Sequence, residues 1–329
     1  MPDKPILKDT FGRTIEYLRL SVTDQCDLRC SYCLPKGFND FQEPSEWLSF
    51  DEIERIIGAF GALGTRRIRI TGGEPLVRAK LPELATRLAR LPGIDDLSLS
   101  TNATRLAKQA EKLQTAGISR INVSLDTLQS KRFKELTGGK LAKVLDGLMA
   151  AKRVGFKPIK INTVALKGIN DDEIEDMVEF CIEHDFTLRF IETMPMGSTG
   201  LNATDHYLNL QTVKARLAKR FKLVPGVMPG GGPARYVQVA GTDLRIGFIT
   251  PISQHFCDTC NRVRLSVDGT LYMCLGQEEH YPLRDILRAG CSDEELKQHI
   301  RNAIELKPER HEFEANPQKI VRFMSKTGG

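Results

Sequence analysis

The 329-residue chain has no run of eighteen apolar residues, so no membrane-spanning helix is expected. Its opening residues, Met1-Pro2-Asp3-Lys4, lack the charged-then-apolar pattern of a secretory leader. Neither sign of charge dominates. The 47 Lys and Arg against 42 Asp and Glu leave a net +5, too little to demand nucleic acid but compatible with a local basic pocket for a phosphorylated ligand. Internal repeats and low-complexity tracts are also missing, which excludes solenoids and disordered arrays. What remains is an ordinary globular composition, 41% hydrophobic and 27% charged, and the expectation of a cytoplasmic enzyme with neither membrane nor nucleic acid as a partner.

Cysteine is the residue whose placement carries information. Of eight, six fall into two tight groups, Cys26, Cys30, Cys33 and Cys257, Cys260, Cys274. Without a leader sequence such grouping reads as metal ligation rather than disulfides, because cytosolic thiols stay reduced. Cys181 and Cys291 stand apart and read as buried structural thiols.

Six β-rich runs recur at roughly thirty-residue spacing with helical stretches between them, at 15–22, 67–71, 96–101, 120–126, 158–165 and 187–193, the pattern of βα units building a parallel sheet. Amphipathic helices are expected at 51–63, behind a Ser49 cap, and at 81–91. After residue 194 the regularity fails. A closed eight-unit barrel would need two more units, so the expected fold is α/β, an incomplete (β/α)6 TIM-like barrel. A loop or linker at 225–233 introduces a β-rich C-terminal segment with antiparallel strands and a turn at Asp268-Gly269, then a helix at 293–306. This divides the chain into a partial-barrel core, 1–225, and a C-terminal region, 226–329.

Cys26-Asp-Leu-Arg-Cys30-Ser-Tyr-Cys33 follows the first predicted strand, on a loop at a carboxyl strand end, where barrel active sites are built. Three cysteines satisfy three irons of a 4Fe-4S cubane and leave one open to a non-protein ligand. That iron can take the amino and carboxylate groups of S-adenosylmethionine and set its sulfonium up for one-electron cleavage. Zinc is the competing reading, although CxxxCxxC lacks the paired CxxC knuckles zinc favours. Thr71-Gly72-Gly73-Glu74-Pro75 follows the second predicted strand. Alone it is a βα turn, and its glycines permit close backbone approach to a bound methionine moiety.

Together these two motifs resemble the radical S-adenosylmethionine superfamily across the six βα units. The resemblance implies that Tyr32, Gly73, Ser124 and Met194 contact the nucleoside or methionine part of the cofactor.

The second triad, Cys257-Asp-Thr-Cys260 with Cys274, could equally form a four-ligand zinc site with His255 or His280. Strand alternation puts Arg262 and Arg264 on one face beside it, which suggests a phosphorylated substrate near an incompletely ligated iron. Arg19, Arg67, Arg69, Lys160 and Arg189 also fall at strand positions. A solvated charge explains any one of them, but charges on strands that otherwise read as buried need a partner, and a triphosphate inside the barrel would supply it.

Within the superfamily, the full set of motifs, with Ser124-Leu125-Asp126, Lys160-Ile161-Asn162, Arg189-Phe190-Ile191-Glu192 and a final Gly328-Gly329, is similar to the branch that cyclises GTP at the first step of molybdenum cofactor assembly. That likeness implies two 4Fe-4S clusters, the second with an open iron for guanine, and catalytic roles for Cys26, Cys30, Cys33, Arg262 and Arg264. It implies GTP contacts from Arg19, Arg69, Ser100, Lys160, Arg189, Arg262, Val263 and Arg264, with Arg67 a further candidate. A homodimer, a reductant such as flavodoxin or ferredoxin, and hand-off to cyclic pyranopterin monophosphate synthase are implied as well. Ser100 stands where Thr is common and Arg67 where Lys is common, and an Arg fork is not equivalent to a Lys point charge. The terminal Gly-Gly reads plainly as a frayed end, whereas in that branch it reaches into the active site. Two rivals remain open: a radical enzyme acting on a peptide or a tetrapyrrole precursor, and a zinc-stabilised RNA-binding module.

Overall fold

A computed structural model describes residues 6–328; the N-terminal four residues read above and Gly329 of the terminal pair lie outside the described residues. Twelve strands form one sheet: β1 Tyr17–Ser21, β2 Arg67–Thr71, β3 Asp96–Thr101, β4 Arg120–Ser124, β5 Ile159–Val164, β6 Thr187–Ile191, β7 Leu223–Gly226, β8 Arg235–Val239, β9 Arg245–Ile249, β10 Arg262–Leu265, β11 Thr270–Tyr272 and β12 His280–Pro282. Their order is β12-β11-β10-β1-β2-β3-β4-β5-β6-β9-β8-β7. The eight from β10 through β1–β6 to β9 all run parallel. β9 and β10 lie on opposite sides of the arc and do not pair, so the barrel is incomplete.

Period-two alternation makes this sheet two-sided across all eight parallel strands. One row is apolar in register: Val263, Leu18, Ile68 and Leu97, and further along Val123, Ile161 and Leu188. It packs in the main hydrophobic core. The other row is polar and cationic, with Arg264, Arg19, Arg69 and Ser98 adjacent, then Ser100, Asn122 and Lys160, and then Asn162, Arg189 and Gly247. Helices cover the apolar side. The helix Phe50–Ala62 starts at a capping box between Ser49 and Glu52 and buries Ile53, Ile56, Ile57 and Phe60 at three- and four-residue spacing.

The structure departs from the sequence-based expectations in the C-terminal third. The hairpins β8–β9 and β10–β11 are antiparallel as expected. Their strands β9 and β10, however, join the parallel core, one on each side. Pro225 and Gly226, expected in a loop, belong to β7, and a proline is tolerated there because β7 is the last strand of the sheet. The expected strand at 120–126 stops at Ser124, since Asp126 leaves the ladder to accept the Val164 amide at 2.8 Å. Cys181 is buried as expected, but Cys291 is only half-buried.

Phe190, fully buried in β6, stacks on Phe248 of β9 with ring centroids 6.3 Å apart. Phe190→Ala is expected to cost about 3–5 kcal/mol of stability through the cavity it leaves, measured by denaturant unfolding.

Candidate active site

The first triad sits on the loop after β1, which is clamped against the end of β2 by a ladder of backbone bonds. Val22 N donates to Thr71 O at 3.0 Å, Gly73 N to Thr23 O at 2.8 Å and Glu74 N to Gln25 O at 2.8 Å. A Cβ on Gly73 would stand 2.3 Å from Gln25 O and 2.6 Å from Asp24 O. The glycines therefore serve an internal contact that fixes the cysteine loop, as well as lining the cavity beside it. Glu74 is fully buried and accepts from Leu76 N, Thr101 Oγ1 and Asn102 N at 3.0, 2.7 and 2.6 Å. Burial pushes its carboxyl up to about 7.

Cys26, Cys30 and Cys33 open together into a cavity of about 180 Å³ that Tyr32, Gly73, Ser100, Ser124 and Met194 also line. All four residues expected to touch the adenosyl cofactor are thus brought together. The Tyr32 hydroxyl donates to Asp126 Oδ2 at 2.6 Å, and burial raises the Asp126 carboxyl to about 6. Burial pushes the Cys26 and Cys33 thiols up to about 12 and holds the Cys30 thiol well above its ordinary value. Three buried thiols become thiolates here only against a cationic partner, the behaviour of a metal-ligand set.

The second triad shares a neighbouring cavity of about 130 Å³ with Tyr17, Arg19, Arg69, Arg189, Arg262 and Arg264. Burial raises the Cys257 and Cys274 thiols. Burial also opposes the Cys260 thiolate, but the charges of Lys307 and Arg262 outweigh it and its pKa is lowered. Neither His255 nor His280 lines this cavity: His255 faces the His311 ring, and His280 lies beside the Tyr272 ring. The zinc set that pairs either histidine with the triad is therefore not assembled. Among the described residues no three His, Cys, Asp or Glu side chains converge on one ion position. Each thiol triad instead lines one cavity without meeting at a single ion position, which suits a cluster whose irons are ligated one by one with one left open.

Asn162, Ile191 and Met194 line both cavities, so the triads face one passage through the sheet interior. Its walls are charged. Arg19, Arg69, Arg189 and Arg264 on its lining, and Lys160 on the same face of the sheet, are each at most 8% exposed, and none forms an ion pair with a carboxylate among the described residues. Arg69 reaches Ser98 Oγ at 3.3 Å, Arg189 reaches Asn122, and Arg264 donates to Gly328 O at 2.6 Å. The Arg19 Nε and Nη2, Arg189 Nε and Arg262 Nε atoms are buried with no acceptor. Burial and mutual repulsion drive the Arg19 guanidinium well below the usual range and take Arg189 and Arg264 to about 10. Orphaned donors and unneutralised cations are costly until an anion satisfies them.

Not every expected residue lines the passage. Arg67 is half-exposed and paired with Glu16 at 2.8 Å. The Val263 side chain packs in the apolar core on the opposite face from Arg262 and Arg264. Ser100 lines the first cavity rather than the second, and Lys160 is buried just outside both. Sequence reasoning gave no role to Tyr17, Glu74, Asn162 or Lys307. Only Glu74 and Asn162 carried a signal, as members of motifs.

Gly73→Ala is expected to displace the loop carrying Cys26 and to lower iron retention at the first triad, leaving the second loaded. Iron and sulfide analysis of the variant reads this directly.

The chain can now be set beside known proteins. The model of the Radical SAM superfamily matches residues 20–181, and that described as Molybdenum Cofactor Synthesis C matches 186–313. Relatives named GTP 3′,8-cyclase from Pseudomonas putida and Paracoccus denitrificans are each 46% identical to it, over 98% of this chain and 98% and 96% of theirs. Among solved structures, Streptococcus suis SuiB bound to the precursor peptide SuiA superposes with a TM-score of 0.62 at 18% identity, over 89% of this chain and 65% of SuiB. SuiB bound to S-adenosylmethionine gives 0.57 at 18%, over 96% and 76%. At that identity SuiB speaks for the fold alone. A full-length likeness at 46%, carried on a chain whose two cysteine triads flank an arginine-lined passage, places this protein in the GTP 3′,8-cyclase family of radical S-adenosylmethionine enzymes.

Proposed function

We propose that the chain converts GTP to (8S)-3′,8-cyclo-7,8-dihydroguanosine 5′-triphosphate, the first step of molybdenum cofactor biosynthesis, with GTP lying in the passage between the two triads. The observation that carries this reading is the set of buried, carboxylate-free cations between two three-cysteine cavities that share Asn162, Ile191 and Met194. Cys26, Cys30 and Cys33 would hold one 4Fe-4S cluster and Cys257, Cys260 and Cys274 the other. When bound, the first would supply the electron that cleaves S-adenosylmethionine to methionine and a 5′-deoxyadenosyl radical, which takes hydrogen from the 3′ carbon of GTP so that this carbon can bond to guanine carbon 8; one further electron from the reductant and a proton then convert the resulting guanine radical to the dihydro product.

The protein's own groups hold and orient. Tyr32, fixed by Asp126, and Gly73, Ser124 and Met194 line the adenosyl end. Arg19, Arg69, Arg189, Arg262, Arg264 and Lys160 present charge to the triphosphate and guanine, with Ser100 at the junction side and the Val263 backbone between the two arginines. Arg67, already paired, would act at the mouth. Enclosure excludes water, so that a primary carbon radical meets one hydrogen only. A peptide substrate would leave the buried arginines unpaired.

We further propose a division of labour at residue 225, with 1–225 as the radical core and 226–329 as the part that binds the second cluster and closes the barrel. Homodimerisation, electron supply by flavodoxin or ferredoxin, transfer of product to cyclic pyranopterin monophosphate synthase and a cytoplasmic location belong to the same proposal. No helix among the described residues is long and apolar enough to cross a membrane.

Anaerobically reconstituted protein should carry about eight irons and, with GTP, S-adenosylmethionine and reductant, form 5′-deoxyadenosine and the cyclic nucleotide together. Absence of nucleotide product in fully loaded protein would overturn the assignment. Arg262→Ala and Arg264→Ala should each weaken GTP binding by roughly 10- to 100-fold, the worth of about 1.5–3 kcal/mol for a charge-assisted contact, with both clusters retained.

Burial, reinforced by Arg189, Arg120 and Arg69, lowers the Lys160 ammonium to about 7. The protonated form is the one that attracts phosphate. At pH 6 it is already present, whereas at pH 8 binding must first take up a proton, at about 1.4 kcal/mol per unit. GTP affinity should therefore fall by up to about tenfold per pH unit above 7, and Lys160→Arg should flatten the profile in calorimetric titrations.

A further inference from the structure

Lys307 lies just beyond the helix Asp293–Glu305 and is only 2% exposed. Its Nζ donates to Met273 O at 2.7 Å, Arg262 O at 3.0 Å and Cys260 Sγ at 3.6 Å. An ammonium has three donors, and all three are spent on groups that bracket the second triad; none goes to a carboxylate. Two other buried cations beside this triad are neutralised: Arg322, which donates to Cys274 O at 3.0 Å, pairs with Glu278 at 2.7 Å, and Arg13 is the second. Arg13 pairs with Asp9 at 2.6 Å and donates to the carbonyls of Cys257, Pro308 and Glu309. Lys307 therefore supplies an uncompensated positive charge directly on a ligand sulfur.

The first triad is treated differently. The donors on its Cys26 sulfur are neutral, the Leu28 amide at 3.4 Å and the Asn102 side-chain amide at 3.8 Å. One thiol of each triad is thus contacted differently, Cys26 by neutral amides and Cys260 by an ammonium.

We infer that Lys307 is a positioning residue that sets the electrostatics of the second cluster, holding its reduced form more favourably than a neutral residue would. The inference rests on the reading that Cys257, Cys260 and Cys274 bind a 4Fe-4S cluster. Gaining one electron adds one negative charge to such a cluster, and a buried ammonium at hydrogen-bond distance stabilises that form in a medium of low dielectric. By tying Arg262 O and Met273 O together, the same side chain holds the β10–β11 hairpin that carries Arg262, Arg264 and the approach to Cys274. Charge on the cluster and aim of the arginines are thereby linked through one residue.

The test is an EPR-monitored redox titration of the anaerobically reconstituted full chain, comparing wild type with Lys307→Gln and Lys307→Arg and reading iron content alongside. The midpoint of the second cluster should move to more negative potential in Lys307→Gln and stay near wild type in Lys307→Arg, while the first cluster does not move. Loss of the second cluster's iron from Lys307→Gln alone would equally show that the charge is required. An unmoved midpoint in fully loaded Lys307→Gln, equal shifts in both variants, or loss of the cluster from both, would overturn the inference. Wild-type protein holding about four irons would instead overturn the reading of the second triad itself.

Discussion

Five cations that share the inner face of an open parallel sheet, none paired with a carboxylate among the described residues, are unfavourable until a polyanion joins them, and the rest of the molecule is arranged around that deficit. Arg19, Arg69, Arg189, Arg264 and Lys160 cannot relax to water because helices cover the apolar side of the same strands and the C-terminal strands flank the arc. Their cost is a form of preorganisation. The donors are fixed before the ligand arrives, so binding energy is not spent on gathering flexible side chains. By contrast Arg67 and Arg120, at the amino ends of β2 and β4, are paired with Glu16 and Asp96. Charge is neutralised at the mouth and left bare within.

The same alternation that creates the cationic row places the two cysteine triads. Cys26, Cys30 and Cys33 follow β1, while Cys260 immediately precedes the Asn261-Arg262 start of β10, the strand paired with β1 on its other side. One pair of neighbouring strands therefore connects both triads, and the passage between them is lined where Asn162, Ile191 and Met194 meet. Tyr17 fits this frame. Its ring lies beneath the Arg69 and Arg262 guanidiniums at 5.4 and 6.0 Å, contacts that help hold two cations side by side. At the far side the C-terminal residues enter the same space, with Gly328 O on Arg264 and Met324 and Ser325 on the wall of the first cavity.

The six βα units were legible in the sequence because each strand is buried on both faces and reads as a compact β-rich run between amphipathic helices. The triads were legible because spacing alone carries their chemistry. The parallel placement of β9 and β10 was not, since a sequence shows a hairpin as antiparallel neighbours and says nothing about which core strand the hairpin docks against. Lys307 and Tyr17 were hidden for a similar reason: a lysine after a surface helix and a tyrosine at a strand start acquire their roles only through contacts made across the fold. Val263 shows the converse limit. Lying between two functional arginines, its side chain points by strict alternation into the apolar core. The cap at Ser49 and the buried Cys181 follow from local rules, whereas Cys291, half-exposed near the helix Asp293–Glu305, does not.

The central claim is that the two cavities form one reaction chamber in which an adenosyl fragment generated at the first triad meets the ribose of a nucleotide held by the buried arginines. GTP carrying deuterium at the 3′ carbon tests it most directly, with mass analysis of the 5′-deoxyadenosine formed in a single turnover. The account predicts that the 5′-deoxyadenosine acquires one deuterium and that the nucleotide product loses it. Unlabelled 5′-deoxyadenosine alongside cyclised nucleotide would contradict it.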